Sequence, residues 1–186
     1  MKNKLIKEIT IIAIYIALLT IFSWISIPGA IPFTLQTFMI FVIAYTLKLK
    51  SALCVIIIYL LLGIIGVPVF SSFNSGLSYF LGATGGFLIG FIPMVTIINV
   101  LSLKNNESKI KNYIYQALIS FLGLIVCYIL GLVWFMFVYK APYTLSKALF
   151  AVIIPFIIPD TVKMVIAMIV SKRLNYSFYG IERKSR

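Results

Sequence analysis

Long apolar runs alternate with short polar breaks along the whole chain, and the runs fall near residues 9–27, 33–47, 52–65, 85–103, 113–139 and 146–171. Each break is made of turn residues or charges, so the pattern predicts six membrane-spanning helices in an all-α integral membrane protein. The second and third runs, at about 15 residues or roughly 22 Å of helix, are shorter than a hydrocarbon core of roughly 30 Å, so other parts of the chain must cover their outer ends. The connection at 66–84, GVPVFSSFNSGLSYFLGAT, is uncharged and mixes Phe, Tyr and Leu with Gly, Ser and Asn. It suits a lid folded back over the outer face, or an interfacial loop with aromatic anchors.

Composition strengthens this reading. Of 186 residues 62% are hydrophobic and only 11% charged, more apolar surface than one soluble core of this length hides. The start, with Lys2, Lys4 and Lys7 before an apolar stretch, imitates a secretory signal. The run from Ile9 to Ile27 is longer than a signal's apolar region, however, and Pro28-Gly29-Ala30 is a poor cleavage site, so an uncleaved first helix is expected.

A net charge of +12 would suggest nucleic acid in a soluble protein, but here the basic residues lie between the spans. With the N-terminus inside, the inner segments hold Lys2, Lys4, Lys7, Lys48, Lys50, Lys104, Lys109, Lys111, Lys172, Arg173, Arg183, Lys184 and Arg186, and the outer ones only Lys140 and Lys147. By the positive-inside rule both termini are cytoplasmic. The whole of 1–186 then forms one transmembrane domain.

Little chemistry is available. Histidine is absent, Cys54 and Cys127 fall inside apolar runs and read as small buried hydrophobes, and no metal-ligand cluster is spelled out. No Gly-Lys pair occurs, so the chain holds no P-loop for ATP. Glu8, Glu107 and Glu182 sit with basic residues at the cytoplasmic boundary, which leaves Asp160 inside an apolar run with Lys163 three residues later.

Each ionised group at mid-membrane costs about 2.5–3.5 kcal/mol on insertion scales, so the pair needs each other, other protein groups or a ligand. At i and i+3 both side chains lie on one helix face, where one ligand could meet both; a purely structural ion pair is the alternative. Pro155 and Pro159 predict a helix broken or restarted just before Asp160, with Pro159 at its first position. Counting from Arg173, the pair lies about 20 Å up the helix, at or above the midplane towards the outside.

Further polar residues follow. Gln36, after Pro32 and between Thr34 and Thr37, offers an amide near the outer end of the second span. Asn99, Gln116 and Tyr128 are weaker candidates, and Gly85-Gly86 allows close approach of a ligand or, more simply, of a helix. Ala13 and Ala17 form a small-xxx-small pair that can seat another helix.

The segments SIPGAIPFTLQT (26–37), GIIGVPVF (63–70), LGATGGFLIGF (81–91) and IPFIIPDTVK (154–163), in order through most of the chain, resemble the BioY family. These are the biotin-specific substrate-binding S components of energy-coupling factor (ECF) transporters. The resemblance implies a six-helix S component that captures biotin from outside, needs no cofactor, and docks on a transmembrane coupling protein and two ATPases. It further implies that Ala13 and Ala17, standing where the family has an Ala-xxx-Ala, face the coupling protein. Two segments depart from the family pattern: Pro-Gly-Asp reads Ile158-Pro159-Asp160, and Gly-Pro-Thr-Gly-Gly reads Gly82-Ala83-Thr84-Gly85-Gly86.

On this reading Asp160 accepts bonds from the ureido N–H groups, Lys163 meets the carboxylate or the ureido oxygen, and Gln36, Asn74 of the 66–84 lid, Gly85, Gly86 and Tyr128 complete the binding site. An S component for another small vitamin, a small intramembrane enzyme acting on a lipid through Asp160, and a scaffold with a structural ion pair are the competing readings.

Overall fold

The computed structural model describes residues 2–29, 31–102, 109–138 and 144–183. Lys104, Lys140, Lys184 and Arg186, used above to orient the chain, and Glu107 lie outside the described residues, as do the side chains of Lys2, Lys4, Lys109, Lys111, Glu182 and Arg183.

Apolar runs without water to bond their backbone must satisfy it internally, and they do so as helices. The elements are α1 (Lys2–Trp24), β1 (Ser26–Ile27), β2 (Phe33–Thr34), α2 (Gln36–Thr46), α3 (Leu49–Ile64), α4 (Leu77–Phe80), α5 (Gly85–Ser102), α6 (Lys109–Val138), α7 (Leu145–Val152) and α8 (Ile154–Arg183). Among the described residues four stretches are long and apolar enough to cross a membrane: Leu5–Trp24, Gly85–Ser102, Asn112–Val138 and Leu145–Leu174. Helices α2 and α3, of 11 and 16 residues, are the shorter apolar helices.

Two expected boundaries move. The first span ends at Trp24 and the second begins at Gln36, because the intervening chain forms an antiparallel hairpin with Ser26 opposite Thr34 and Ile27 opposite Phe33. Pro28 and Pro32 cause this: each drives the residue before it, Ile27 or Ile31, away from helical geometry. The last span breaks at Ile153, between α7 and α8, rather than just before Asp160. Pro155 therefore occupies the first turn of α8, where its missing N–H needs no partner, and Pro159 lies inside the helix. Helix α8 therefore does not restart just before Asp160.

Helix α2 is the centre of the bundle, buried at Gln36 and from Met39 to Ala44, and it packs against α8, α5 and α1. A helix apolar on every face has to be enclosed. Its C-terminal end is satisfied by side chains: Asn99 Nδ2 donates to the carbonyls of Ala44 (3.1 Å) and Leu47 (2.7 Å), and Tyr15 donates to Thr46 Oγ1 at 2.8 Å. Asn99 is thus a structural residue at the end of α2.

The most extensive helix pairing joins α5 to α6. Glycines from both sides make the seam. A Cβ on Gly86 would stand 2.2 Å from Trp134 Cβ, on Gly90 2.9 Å from Cys127 Sγ, and on Gly131 2.3 Å from the Phe87 ring. Small residues let the two backbones approach closely where dispersion and not water drives association.

Candidate functional site

The site forms where the N-terminal part of α2 meets α8 and α6. Asp160 and Lys163 on α8 are 2% and 6% exposed and form an ion pair, Nζ to Oδ1, at 2.7 Å. Proximity at i and i+3 brings them onto one face, as their spacing requires. Thr37, at the start of α2, donates to Asp160 Oδ1 at 2.8 Å, and Tyr128 on α6 donates to Oδ2 at 2.7 Å. The carboxylate thus receives three donors from three helices.

Lys163 is equally engaged. Beyond Asp160, its ammonium donates to the Thr34 carbonyl at 2.6 Å and to Thr37 Oγ1 at 3.1 Å, and it lies 4.0 Å from the centroid of the Phe33 ring. The proline-made hairpin is what carries Thr34 and Phe33 to this point. An ammonium has three N–H groups, and all three are used. Removing one member of such a buried pair typically costs about 3–5 kcal/mol, because the other charge is left uncompensated.

Around the pair lies a cavity of about 60 Å³, with Thr34, Gln36, Thr37, Tyr128, Asp160 and Lys163 as its polar wall. Phe70, Tyr79, Phe87, Phe91 and Phe156 supply an aromatic wall. One group of polar residues beside a broad apolar surface suits a ligand with an apolar body and a polar end.

The 66–84 segment closes one side. Phe70 is fully buried, its ring resting on Gly63 of α3 so closely that a Cβ there would lie 2.0 Å from it. Tyr79 stacks on Phe70 at 5.4 Å, and Val69 O accepts from Tyr59 (2.8 Å) and Ser23 (2.6 Å). Gln36 Nε2 donates to the same Tyr59 hydroxyl at 2.7 Å, linking the start of α2 to this segment.

Of the residues singled out in the sequence, Asp160, Lys163, Gln36 and Tyr128 come together at the cavity. Asn74 does not: it is exposed and donates to the Ser71 carbonyl at 2.8 Å. Gly85 and Gly86 face Trp134, outside the cavity lining, so close helix approach is their observed setting. Gln116 lies further along α6, in a second cavity. Ala13 and Ala17 are both exposed on α1. Cys127 is buried, but Cys54 is exposed, on the same apolar face of α3 as Ile57, Ile58 and Leu61, which corrects its expected burial.

Thr34, Thr37, Tyr59 and Phe33 complete the arrangement without having been singled out. A tyrosine inside the third apolar run and two threonines at the start of the second were the available signals.

The BioY family model matches residues 1–179. The probable biotin transporter BioY of Pyrococcus horikoshii is 36% identical over 170 residues, 90% of this chain and 96% of its own length. The biotin transporter BioY of Thermotoga maritima is 35% identical over 162 residues, 87% and 91% of the two chains. A crystal structure of the S-component for biotin from an ECF-type ABC transporter superposes with a TM-score of 0.84 at 27% identity, covering 94% of each chain. With its long apolar helices and these transporter relatives, the chain is a multi-pass protein of the cell membrane. Its sequence, its fold and the order of its elements agree on one assignment: the chain belongs to the BioY family.

Proposed function

We propose that this chain is the biotin-binding S component of an ECF-type transporter, which captures biotin at the Asp160–Lys163 cavity for import driven by partner subunits. One observation carries the reading: a buried, fully partnered ion pair faces an aromatic-walled cavity in a member of the BioY family. Biotin combines a ureido ring, an apolar bicycle and a carboxylate, and the two walls match that division.

The hydrogen-bond count supports an order of contacts. A carboxylate offers about four lone-pair sites, and Asp160 uses three, so it has room for one ureido N–H. Lys163 has none to spare and meets a ligand oxygen by exchanging the Thr34 carbonyl or Thr37 Oγ1 for it. A cavity of about 60 Å³ is far below the several hundred Å³ of small-molecule sites, so entry requires the 66–84 segment to yield as a lid.

Helices α1, α2, α3, α5, α6 and the joined α7–α8 make six passes in this reading, with both termini in the cytoplasm and 1–186 acting as one domain. A coupling protein and two ATPases dock on α1 around Ala13 and Ala17. The chain itself acts as a binding subunit and not as an enzyme.

Titration of the purified protein with biotin tests the site. Asp160→Asn should weaken binding at least about tenfold, the loss of a hydrogen bond to a charged group. Wild-type affinity in a protein carrying both Asp160→Ala and Lys163→Ala would sink the assignment. Competition with lipoate, thiamine and riboflavin separates biotin from other vitamins.

A further inference from the structure

At the opposite end of the α2–α6–α8 contact lies a second cavity of about 280 Å³, lined by Tyr45, Asn112, Tyr113, Gln116, Met168, Ser171 and Lys172. It shares no lining residue with the first, and Lys172 is nine residues, about 13 Å of helix, from Lys163. Tyr45 on the wall of the second cavity has its hydroxyl 2.6 Å from Ser120 Oγ and its ring stacked on Phe41.

Among the described residues the lining is rich in donors and contains no carboxylate. Lys172 bonds the Tyr113 hydroxyl and lies 4.4 Å from the centroid of its ring. An ammonium so placed keeps two further N–H groups. Ser171 is 2% exposed, and its hydroxyl, on the cavity wall, has no hydrogen-bond partner among the described residues. A buried polar group left unpaired costs about 1–3 kcal/mol, so the wall presents a donor that an entering acceptor would satisfy. Gln116 adds an amide.

A cation, a hydroxyl and an amide converging without an acid select an anion rich in acceptor oxygens. The surroundings specify its carrier. Ile114 and Leu118 of α6 and Val165 and Ile169 of α8 are exposed along the same two helices, an apolar surface of no use to a soluble anion but suited to acyl chains. Arg173 follows Lys172 on α8, and Lys48 and Lys50 follow the end of α2 that carries Tyr45, the cytoplasmic end in the orientation proposed above. Basic pockets between membrane helices at that face attract anionic lipid head groups. We propose that this cavity binds the phosphate of an anionic inner-leaflet phospholipid, held by Lys172, Ser171 and Gln116.

Native mass spectrometry of the full-length, detergent-solubilised protein tests this with three probes: phosphatidylglycerol, phosphatidylcholine and glycerol 3-phosphate. Phosphatidylglycerol should bind in preference to phosphatidylcholine. Lys172→Gln should weaken it about fivefold, the effect of one basic residue at an anionic surface. Ser171→Ala, a smaller change on a buried face, should weaken it in the same direction and serves if the lysine variant folds poorly. Biotin affinity, read in parallel, should not change in either variant, which separates this site from the first. Equal binding of the two lipids, unchanged phosphatidylglycerol binding in both variants, or displacement of the lipid by glycerol 3-phosphate would overturn the assignment.

Discussion

At the scale of single residues, Thr37 joins the two charges, since its hydroxyl donates to Asp160 and accepts from Lys163. Thr37→Val keeps the shape and removes both bonds, and should lower biotin affinity about tenfold in an equilibrium binding assay, within the range for bonds to charged groups. Stability and recognition should come apart at the ion pair. Lys163→Met alone leaves a buried carboxylate uncompensated and should lower the thermal midpoint of the purified protein, whereas Lys163→Met with Asp160→Leu should regain much of that loss without regaining biotin binding. The pair was legible in the sequence because an apolar run makes any charge conspicuous. Its partners were not: the Thr34 carbonyl is a backbone group carried in by a hairpin, and no spacing reveals that Tyr128, 32 residues away, reaches the same carboxylate.

Among the elements, Gly63 shows how α3 and the 66–84 segment depend on each other. Gly63→Ala would push against the Phe70 ring, which is walled in by Tyr59 and Tyr79, so the segment should shift, weakening biotin binding and raising protease cleavage between 66 and 84. Gly86→Ala meets Trp134 Cβ and the Leu130 carbonyl, atoms with little room to retreat, and should destabilise the α5–α6 seam by about 1–3 kcal/mol, the range for overpacking, seen as a lower thermal midpoint. Hydropathy located the helices because lipid leaves few alternatives, but it overran their ends. At 24–36 and at 153 the proline geometry, not the hydrophobic pattern, decides where a helix stops, and Pro159 misled because a helix already started at Ile154 accommodates it.

For the molecule as a whole, the exposed Ala13–Ala17 face predicts that a bulky Ala17→Trp should abolish co-purification with the coupling protein while biotin affinity stays at its wild-type value. Orientation is tested by labelling single cysteines with an impermeant maleimide: a cysteine placed in 71–76 should react from outside intact cells and one placed at 48–50 should not, with Cys54 replaced. The enclosed position of α2 also bears on the choice of lipid. Hydrophobic mismatch acts on helices that touch acyl chains, and α2, about 17 Å long, is surrounded by α8, α5 and α1 instead. Its shortness therefore asks for no local thinning of the bilayer. Helices α6 and α8, about 45 Å each, absorb changes in thickness by tilting, so biotin affinity should hold steady across vesicles of short and long acyl chains, while the fit of α1 to its partner should vary with them.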